Sequence, residues 1–202
     1  MRISRCITIF LLTSGVLAGC GGGGSGGSDS GSTVSDASET TSSGKATVAA
    51  NPVEMSAGCE VDQYQADLIE LINIARSEAR MCGDDHYEAT APVIYSCTLE
   101  GAARTHSVDM ETHNFFSHTG SDGLTVGNRV TATGYEWSIV GENIAAGYDS
   151  PASVTAGWLA SPGHCRNIMD PRFKEFAAVR IDSTSASNDY SNYWTSVYGT
   201  PR

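Results

Sequence analysis

The sequence predicts an α+β domain, because amphipathic helices come first in the chain and hairpin-joined strands come last. Apolar residues recur at helical spacing over 62–80 and again over 98–112, which predicts two helices. The segments 175–181 and 193–199 read as strands, and a Ser-rich connection joins them. A central, mainly antiparallel sheet covered by helices is therefore the expected architecture.

Turn and capping residues divide the chain between these segments. Residues 122–123 are Asp-Gly and predict a turn, and a short helix is expected to follow and to end near Gly134. The stretch 139–144 is expected to be extended. Ser150 followed by Pro151 is typical of a helix N-cap with proline at the first helical position, so a further helix is expected to begin there.

The first twenty residues have the organisation of a bacterial lipoprotein signal peptide. Arg2 and Arg5 precede an uncharged apolar stretch over 7–16, and small residues lead to Cys20. The stretch is too short for a transmembrane helix, which needs about 20 apolar residues. We therefore expect residues 1–19 to be removed and Cys20 to become the lipidated N-terminus, which its acyl chains hold at a membrane.

A low-complexity segment separates Cys20 from the folded part of the chain. Residues 20–58 are rich in Gly and Ser and contain no aromatic residue, so they are expected to form a disordered tether. Residues 59–202 are long enough for one domain with its own core, expected to be monomeric. Because Gly21 rather than an aspartate follows Cys20, an outer-membrane destination is expected over the inner membrane in a cell with two membranes.

The composition limits the classes of molecule that the chain is expected to bind. The chain contains 12 Lys and Arg residues against 23 Asp and Glu residues, which gives a formal net charge of −11. Nucleic acid is not an expected partner, because phosphate binding requires a basic surface. Besides Cys6 and Cys20, four cysteines remain in an exported chain, which predicts two disulfides with three possible connectivities.

Three short motifs occur in a fixed order along the chain. They are Asn-Phe-Phe-Ser-His at 114–118, Gly-Glu-Asn-Ile-Ala at 141–145 and Ser-Pro-Gly-His-Cys-Arg-Asn-Ile-Met at 161–169. Each is weak alone, but the ordered set resembles the CAP superfamily, the SCP domain of cysteine-rich secretory proteins, antigen five and plant pathogenesis-related proteins. The resemblance covers roughly 68–199 and implies a three-layer α/β/α sandwich with a surface cleft.

The resemblance also implies which side chains line that cleft. Two histidines and two glutamates line it in the family, and the matching positions here are His118, Glu142 and His164. The fourth position falls at Ser161, where animal and plant members carry glutamate. This departure argues against a mechanism that requires a pair of carboxylates.

The same resemblance implies a disulfide pairing. Bacterial relatives resemble this chain in having both Cys82 and Cys165, which implies a Cys82–Cys165 bridge. Cys59 is then left to pair with Cys97.

The residues also carry expectations of their own. Glu142 stands among small and apolar residues, and a half-buried carboxylate needs a partner, which two imidazoles would supply. His106 falls on the apolar stripe of the second helix, so it is expected to be a hydrogen-bonded residue of the core or of the cleft edge.

These residues are compatible with three functions. The first is a binding module whose cleft takes an extracellular lipid, glycan or peptide. The second is a metal-assisted hydrolase, in which His118 and His164 hold zinc or another divalent cation and Glu142 acts as base, as third ligand or as the acceptor that orients an imidazole. The third is a purely structural role at the cell surface.

Overall fold

The structure is a computed structural model that describes residues 54–56 and 58–202. The predicted signal peptide, the lipidation site at Cys20 and most of the predicted tether therefore lie outside the described residues. Every helix in the described part falls short of the length and apolarity that a membrane span requires. The elements, in chain order, are α1 (Gln63–Arg76), β1 (Arg80–Cys82), β2 (Asp85–Tyr87), β3 (Ile94–Tyr95), α2 (Cys97–His113), α3 (Val126–Ala132), β4 (Trp137–Ala146), α4 (Pro151–Ala160), α5 (Pro162–Met169), β5 (Glu175–Asp182) and β6 (Asn192–Pro201).

A four-stranded sheet with the strand order β3-β5-β6-β4 forms the middle layer. β6 pairs antiparallel with both β4 and β5, and the short β3 pairs parallel with β5. Helices α2 and α3 form one outer layer, and α1, α4 and α5 pack together in the other. The predicted α+β class, the three layers and the mainly antiparallel sheet are confirmed. β4 lies at one edge of the sheet, which matters for the site.

Capping residues set the helix starts where the sequence predicts them. Asp62 and Gln65 form a reciprocal capping box at the start of α1, with both hydrogen bonds at 3.0 Å. The helix predicted to begin after Ser150 does so, with Pro151 in its first turn. These local devices depend on neighbouring residues only, which is why they can be read from sequence.

The predicted first helix is too long at its C-terminal end. α1 ends at Arg76, and Arg80 already belongs to the β1–β2 hairpin. Gly83 lies in the two-residue turn of this hairpin with φ of 68°, a conformation that favours glycine. The hairpin and the two-residue strand β3 were not predicted, because such short strands carry no periodic pattern.

The domain also begins earlier than the predicted boundary at residue 59. Met55 forms a parallel bridge with Tyr95, and the backbone of Tyr95 exchanges hydrogen bonds with Glu54 and Ser56 at 2.9 and 2.8 Å. These residues extend the sheet beyond β3. The segment assigned to the tether therefore overlaps the folded domain by several residues.

Both predicted disulfides are present. Cys59–Cys97 ties the first described residues to the start of α2, and Cys82–Cys165 ties the β1–β2 hairpin to α5. Cys82 and Cys165 are buried, with 1% and 0% of their surface exposed. The second bridge therefore fastens the helix that carries His164 to the rest of its layer.

The Cys82–Cys165 bridge is expected to be the larger contributor to stability. It closes a sequence separation of 83 residues against 38 for Cys59–Cys97, and loop-closure entropy makes the longer loop worth about 0.7 kcal/mol more. Replacing Cys82 and Cys165 together by serine should lower the free energy of unfolding by about 2–4 kcal/mol in urea titrations. The matched variant at Cys59 and Cys97 should lose less, and the reverse order would contradict this assignment.

Candidate functional site

The motif at 141–143 places alternate side chains on the two faces of the edge strand β4. Glu142 faces the layer of α2 and α3, where its carboxylate meets His118 and Arg129. Asn143 faces the opposite layer and donates to the backbone oxygen of His164 at 3.2 Å. Because successive strand residues point to opposite faces, one short motif contacts both layers.

The carboxylate of Glu142 is buried and fully partnered. Its side chain is 2% exposed, Oε1 lies 2.9 Å from Nδ1 of His118, and Oε2 lies 2.6 Å from Nη2 of Arg129. A carboxylate that lies between two donors accepts from both, so Nδ1 of His118 carries the proton. The imidazole of His118 is 56% exposed. Its Nε2 is then left as a hydrogen-bond acceptor on the exposed ring.

Arg129 is the functional residue that the sequence reasoning missed. It lies on α3, is 4% exposed, and donates to the backbone oxygens of Leu124 at 2.9 Å and His118 at 3.2 Å as well as to Glu142. Nothing in the sequence separates it from a solvated arginine on a short helix. Only the fold shows that its guanidinium lies inside.

His106 lies beneath this pair and is a core residue, as expected. It is fully buried, and its Nε2 donates to the backbone oxygen of Ser117 at 2.8 Å. The same atom lies 3.8 Å from Oε1 of Glu142. Burial lowers the pKa of His106 below its ordinary value near 6.5, and the nearby charge of Arg129 lowers it further, against the opposing effect of Glu142. The neutral ring therefore packs under the carboxylate.

Helix α5 brings His164 to the same edge of the sheet. Asn167 donates to the backbone oxygen of Glu142 at 3.0 Å and to Oδ1 of Asn143 at 2.8 Å, so two amide side chains hold α5 on β4. Half-burial lowers the pKa of His164, and the proximity of His118 lowers it further.

Gly141 permits this close approach of the α5 layer. A Cβ at this position would lie 2.7 Å from Cζ of Phe173 and 3.3 Å from Oδ1 of Asn167, which is closer than packing tolerates. The glycine of the motif is therefore explained by space rather than by backbone conformation.

A groove lies along the last residues of β4, and His164 lines it whereas His118 and Glu142 do not. Its volume is about 280 Å³. Phe116 and Tyr190 flank it, with ring centroids 5.8 Å apart and 45% and 40% of their surfaces exposed. Ser161 and His164 give it a polar end. The lining residues are Phe116, Ile144, Ala145, Ala146, Tyr148, Gly157, Trp158, Ser161, His164 and Tyr190.

A second depression, of about 420 Å³, lies at the start of β4. Thr131, Tyr135, Trp137 and Arg202 are among its lining residues, and none of the predicted cleft residues reaches it. We therefore place the candidate site at the groove lined by Ser161 and His164; His118 and Glu142 lie outside its lining.

The donor set does not form a three-ligand metal centre. Among residues 54–56 and 58–202, no group of three or more His, Cys, Asp or Glu side chains is placed to hold a metal ion. Glu142 is already paired with Arg129, so its place in the site is that of the acceptor that orients His118. Of the predicted metal ligands, His118 and His164 are then the two whose side chains could still bind a cation.

Comparison with known proteins places these features in a family. The family model described as "CAP: Cysteine-rich secretory protein family" matches residues 69–198. The uncharacterised protein YkwD of Bacillus subtilis is 29% identical over 72% of this chain and 53% of its own length. The uncharacterised membrane protein YlbC of the same organism is 26% identical over 64% and 35%. The chain thus spans about half the length of YkwD and about a third of the length of YlbC.

Solved structures share the fold. An extracellular protein of Bacillus anthracis that contains an SCP domain superposes with a TM-score of 0.55 at 24% identity, over 67% of this chain and 40% of that one. An outer surface protein of Borrelia burgdorferi superposes with a TM-score of 0.50 at 19% identity, over 56% and 80%. At these identities the likeness establishes the three-layer architecture.

The buried histidine generates a prediction about pH. The unfolded chain binds protons at histidine below about pH 6.5, whereas folded His106, with its lowered pKa, does not. The unfolded state therefore binds more protons, and the free energy of unfolding should fall by about 1–2 kcal/mol from pH 7 to pH 5.

Urea titrations at several pH values test this dependence. His106→Gln should flatten it, although His164 will keep part of it. His86→Gln, at a side chain 55% exposed, should leave it unchanged. An unaltered dependence in His106→Gln would contradict the assignment.

Proposed function

Because this chain belongs to the cysteine-rich secretory protein (CAP) family, we propose that it is an exported binding protein whose cleft at His118, Glu142, Ser161 and His164 holds a ligand without turning it over. The observation that carries this proposal is the saturation of Glu142. Both of its carboxylate oxygens are engaged, and its side chain is 2% exposed. A carboxylate so placed is poorly suited to take a proton from a substrate.

The groove lined by Ser161 and His164 supports a ligand with one apolar group next to a polar one. Its volume of about 280 Å³ is at the lower end of the roughly 300–1,000 Å³ of ordinary small-molecule sites. It therefore has room for a single group of a larger molecule, such as a short acyl segment, a face of a sugar ring or a peptide side chain. Ser161 and His164 would meet the polar part.

Gly157 contributes to the shape of this groove. The ring of Tyr148 packs directly on it, with Cζ 2.6 Å from where a Cβ would stand. Trp158 donates from Nε1 to the backbone oxygen of Ile144 at 3.2 Å, which fixes α4 against the edge strand. These contacts fix the shape of the groove where α4 meets β4, and such preorganisation favours binding.

Calorimetric titration of the purified protein with laurate, an N-acetylglucosamine oligomer and a leucine-containing tripeptide tests the proposal. We expect one of the three to bind, and Phe116→Ser and Tyr190→Ser each to weaken binding about tenfold, since each removes apolar contact area. Val108→Ser is the matched control, because Val108 is 42% exposed and lies on α2 outside the groove. Equal losses in all three variants, or no binding of any probe, would overturn the proposal.

One observation favours the hydrolase as a second candidate. A buried carboxylate that orients an exposed imidazole is an arrangement used for general bases and for metal-bound histidines. If zinc binds, His118 and His164 would hold it and water would complete its shell, where the metal would supply Lewis-acid activation. Turnover of ester or peptide substrates that requires zinc and is abolished by His118→Ala would replace the binding proposal.

We also propose that Cys20 carries a lipid anchor that holds the domain at an outer membrane surface. The motif that ends at Cys20 supports this, as do an extracellular and an outer surface protein among the structural neighbours. Cys20→Ser should abolish membrane fractionation and remove the mass of the acyl chains, which mass spectrometry measures. Unchanged fractionation and mass in this variant would refute the assignment.

A further inference from the structure

We propose that Arg129 is the positioning residue of the cleft, which holds Glu142 so that His118 presents an unprotonated Nε2 toward a bound ligand. The ligand is then required to offer a hydrogen-bond donor or a cation at this point. The ligand class rests on the proposed binding function, whereas the positioning of His118 is a property of the free protein.

The geometry of Arg129 gives the first argument. Its Nη2 donates both to Oε2 of Glu142 at 2.6 Å and to the backbone oxygen of His118 at 3.2 Å. One nitrogen therefore fixes the carboxylate and the backbone of the residue that this carboxylate orients. Its Nη1 donates to the backbone oxygen of Leu124 at 2.9 Å, which anchors the loop between α2 and α3 on which His118 lies. A lysine has no planar fork to make these contacts together.

The charges around Glu142 give the second argument. In the described part of the chain, the basic groups within 4 Å of its carboxylate are His106, His118 and Arg129. His106 and His118 are imidazoles, which carry a charge only when they are protonated, and burial lowers the pKa of His106. Arg129 is thus the one permanent cation among these three, and it compensates a carboxylate that is nearly inaccessible to water. A buried carboxylate without such a partner is strongly unfavourable.

The contact with Glu142 decides which nitrogen of the His118 imidazole carries the proton. While Glu142 accepts from Nδ1 of His118 at 2.9 Å, the proton stays on Nδ1 and the ring has its free acceptor at Nε2. If Arg129 is removed, Oε2 of Glu142 loses its donor and the carboxylate is no longer held against the ring. His118, 56% exposed, then loses the acceptor that selects the Nδ1–H tautomer, so both tautomers become populated.

Imidazole ¹⁵N NMR of the purified protein at pH 7.5, without ligand, tests this inference. Long-range ¹H–¹⁵N correlations report which nitrogen of His118 is protonated, and His118→Gln assigns the signals. We expect the Nδ1–H tautomer in the wild type. In Arg129→Met and in Arg129→Lys we expect a mixture of tautomers, with the larger change in the methionine variant. A wild-type pattern of His118 in both variants would overturn the proposal.

A double variant keeps the proposal falsifiable if Arg129→Met fails to fold. Glu142→Gln removes the buried charge but leaves an amide oxygen that accepts from Nδ1. The double variant of Arg129→Met and Glu142→Gln should therefore unfold at a higher urea concentration than Arg129→Met alone and should regain the Nδ1–H tautomer. A double variant no more stable than the single variant, or one without the tautomer, would overturn the role of Arg129.

The ligand class is tested separately from the positioning. If the wild type shows the Nδ1–H tautomer and loses it in Arg129→Met while none of the titrated probes binds, the positioning stands and the proposed binding function fails. If a probe binds but its affinity is the same in Arg129→Lys as in the wild type, the positioning of His118 does not select the ligand. That outcome would overturn the inferred requirement for a donor.

Discussion

The buried contact between Glu142 and Arg129 is the interaction on which the arrangement of this site depends. It joins the edge strand β4 to helix α3 at 2.6 Å, with both side chains almost inaccessible to water. A buried ion pair contributes little net stability, but the loss of one partner is costly because the other charge remains buried. The pair therefore acts as a positional constraint. The orientation of His118 depends on this pair, because Glu142 accepts a hydrogen bond from Nδ1 of His118.

The edge strand connects this constraint to the second layer. Gly141 leaves room for Phe173, while Asn143 and Asn167 bind α5 to the strand. The disulfide between Cys82 and Cys165 also ties α5 to the β1–β2 hairpin. His164 thus reaches the cleft from a helix held at two sides. His118 lies on the loop between α2 and α3, whereas His164 lies on α5 in the other layer.

Much of the fold was accessible from the sequence because its determinants are local. The capping residues before α1 and α4 and the helical spacing in α2 act over a few residues, and they predicted correctly where these helices begin. The cleft positions and the disulfide pairing came from ordered motifs that resemble a family, which encode a fold already known. The hairpin at 80–87 was not predicted, because such short strands are stabilised by their partner strands and show no periodic pattern in the sequence.

The sequence by itself determined the class of the domain and the number of its disulfides, and its resemblance to a family implied the layers, the pairing of the cysteines and the candidate cleft residues. Only the tertiary structure decided what those residues do to one another. It showed Arg129 to be inside, both oxygens of Glu142 to be engaged, and His106 to be buried beneath it with a lowered pKa. The physical reason is that burial and charge compensation depend on groups far apart in the chain. Glu142 and Arg129 are 13 residues apart, and no sequence pattern indicates that their side chains pair. Only the fold brings them into contact.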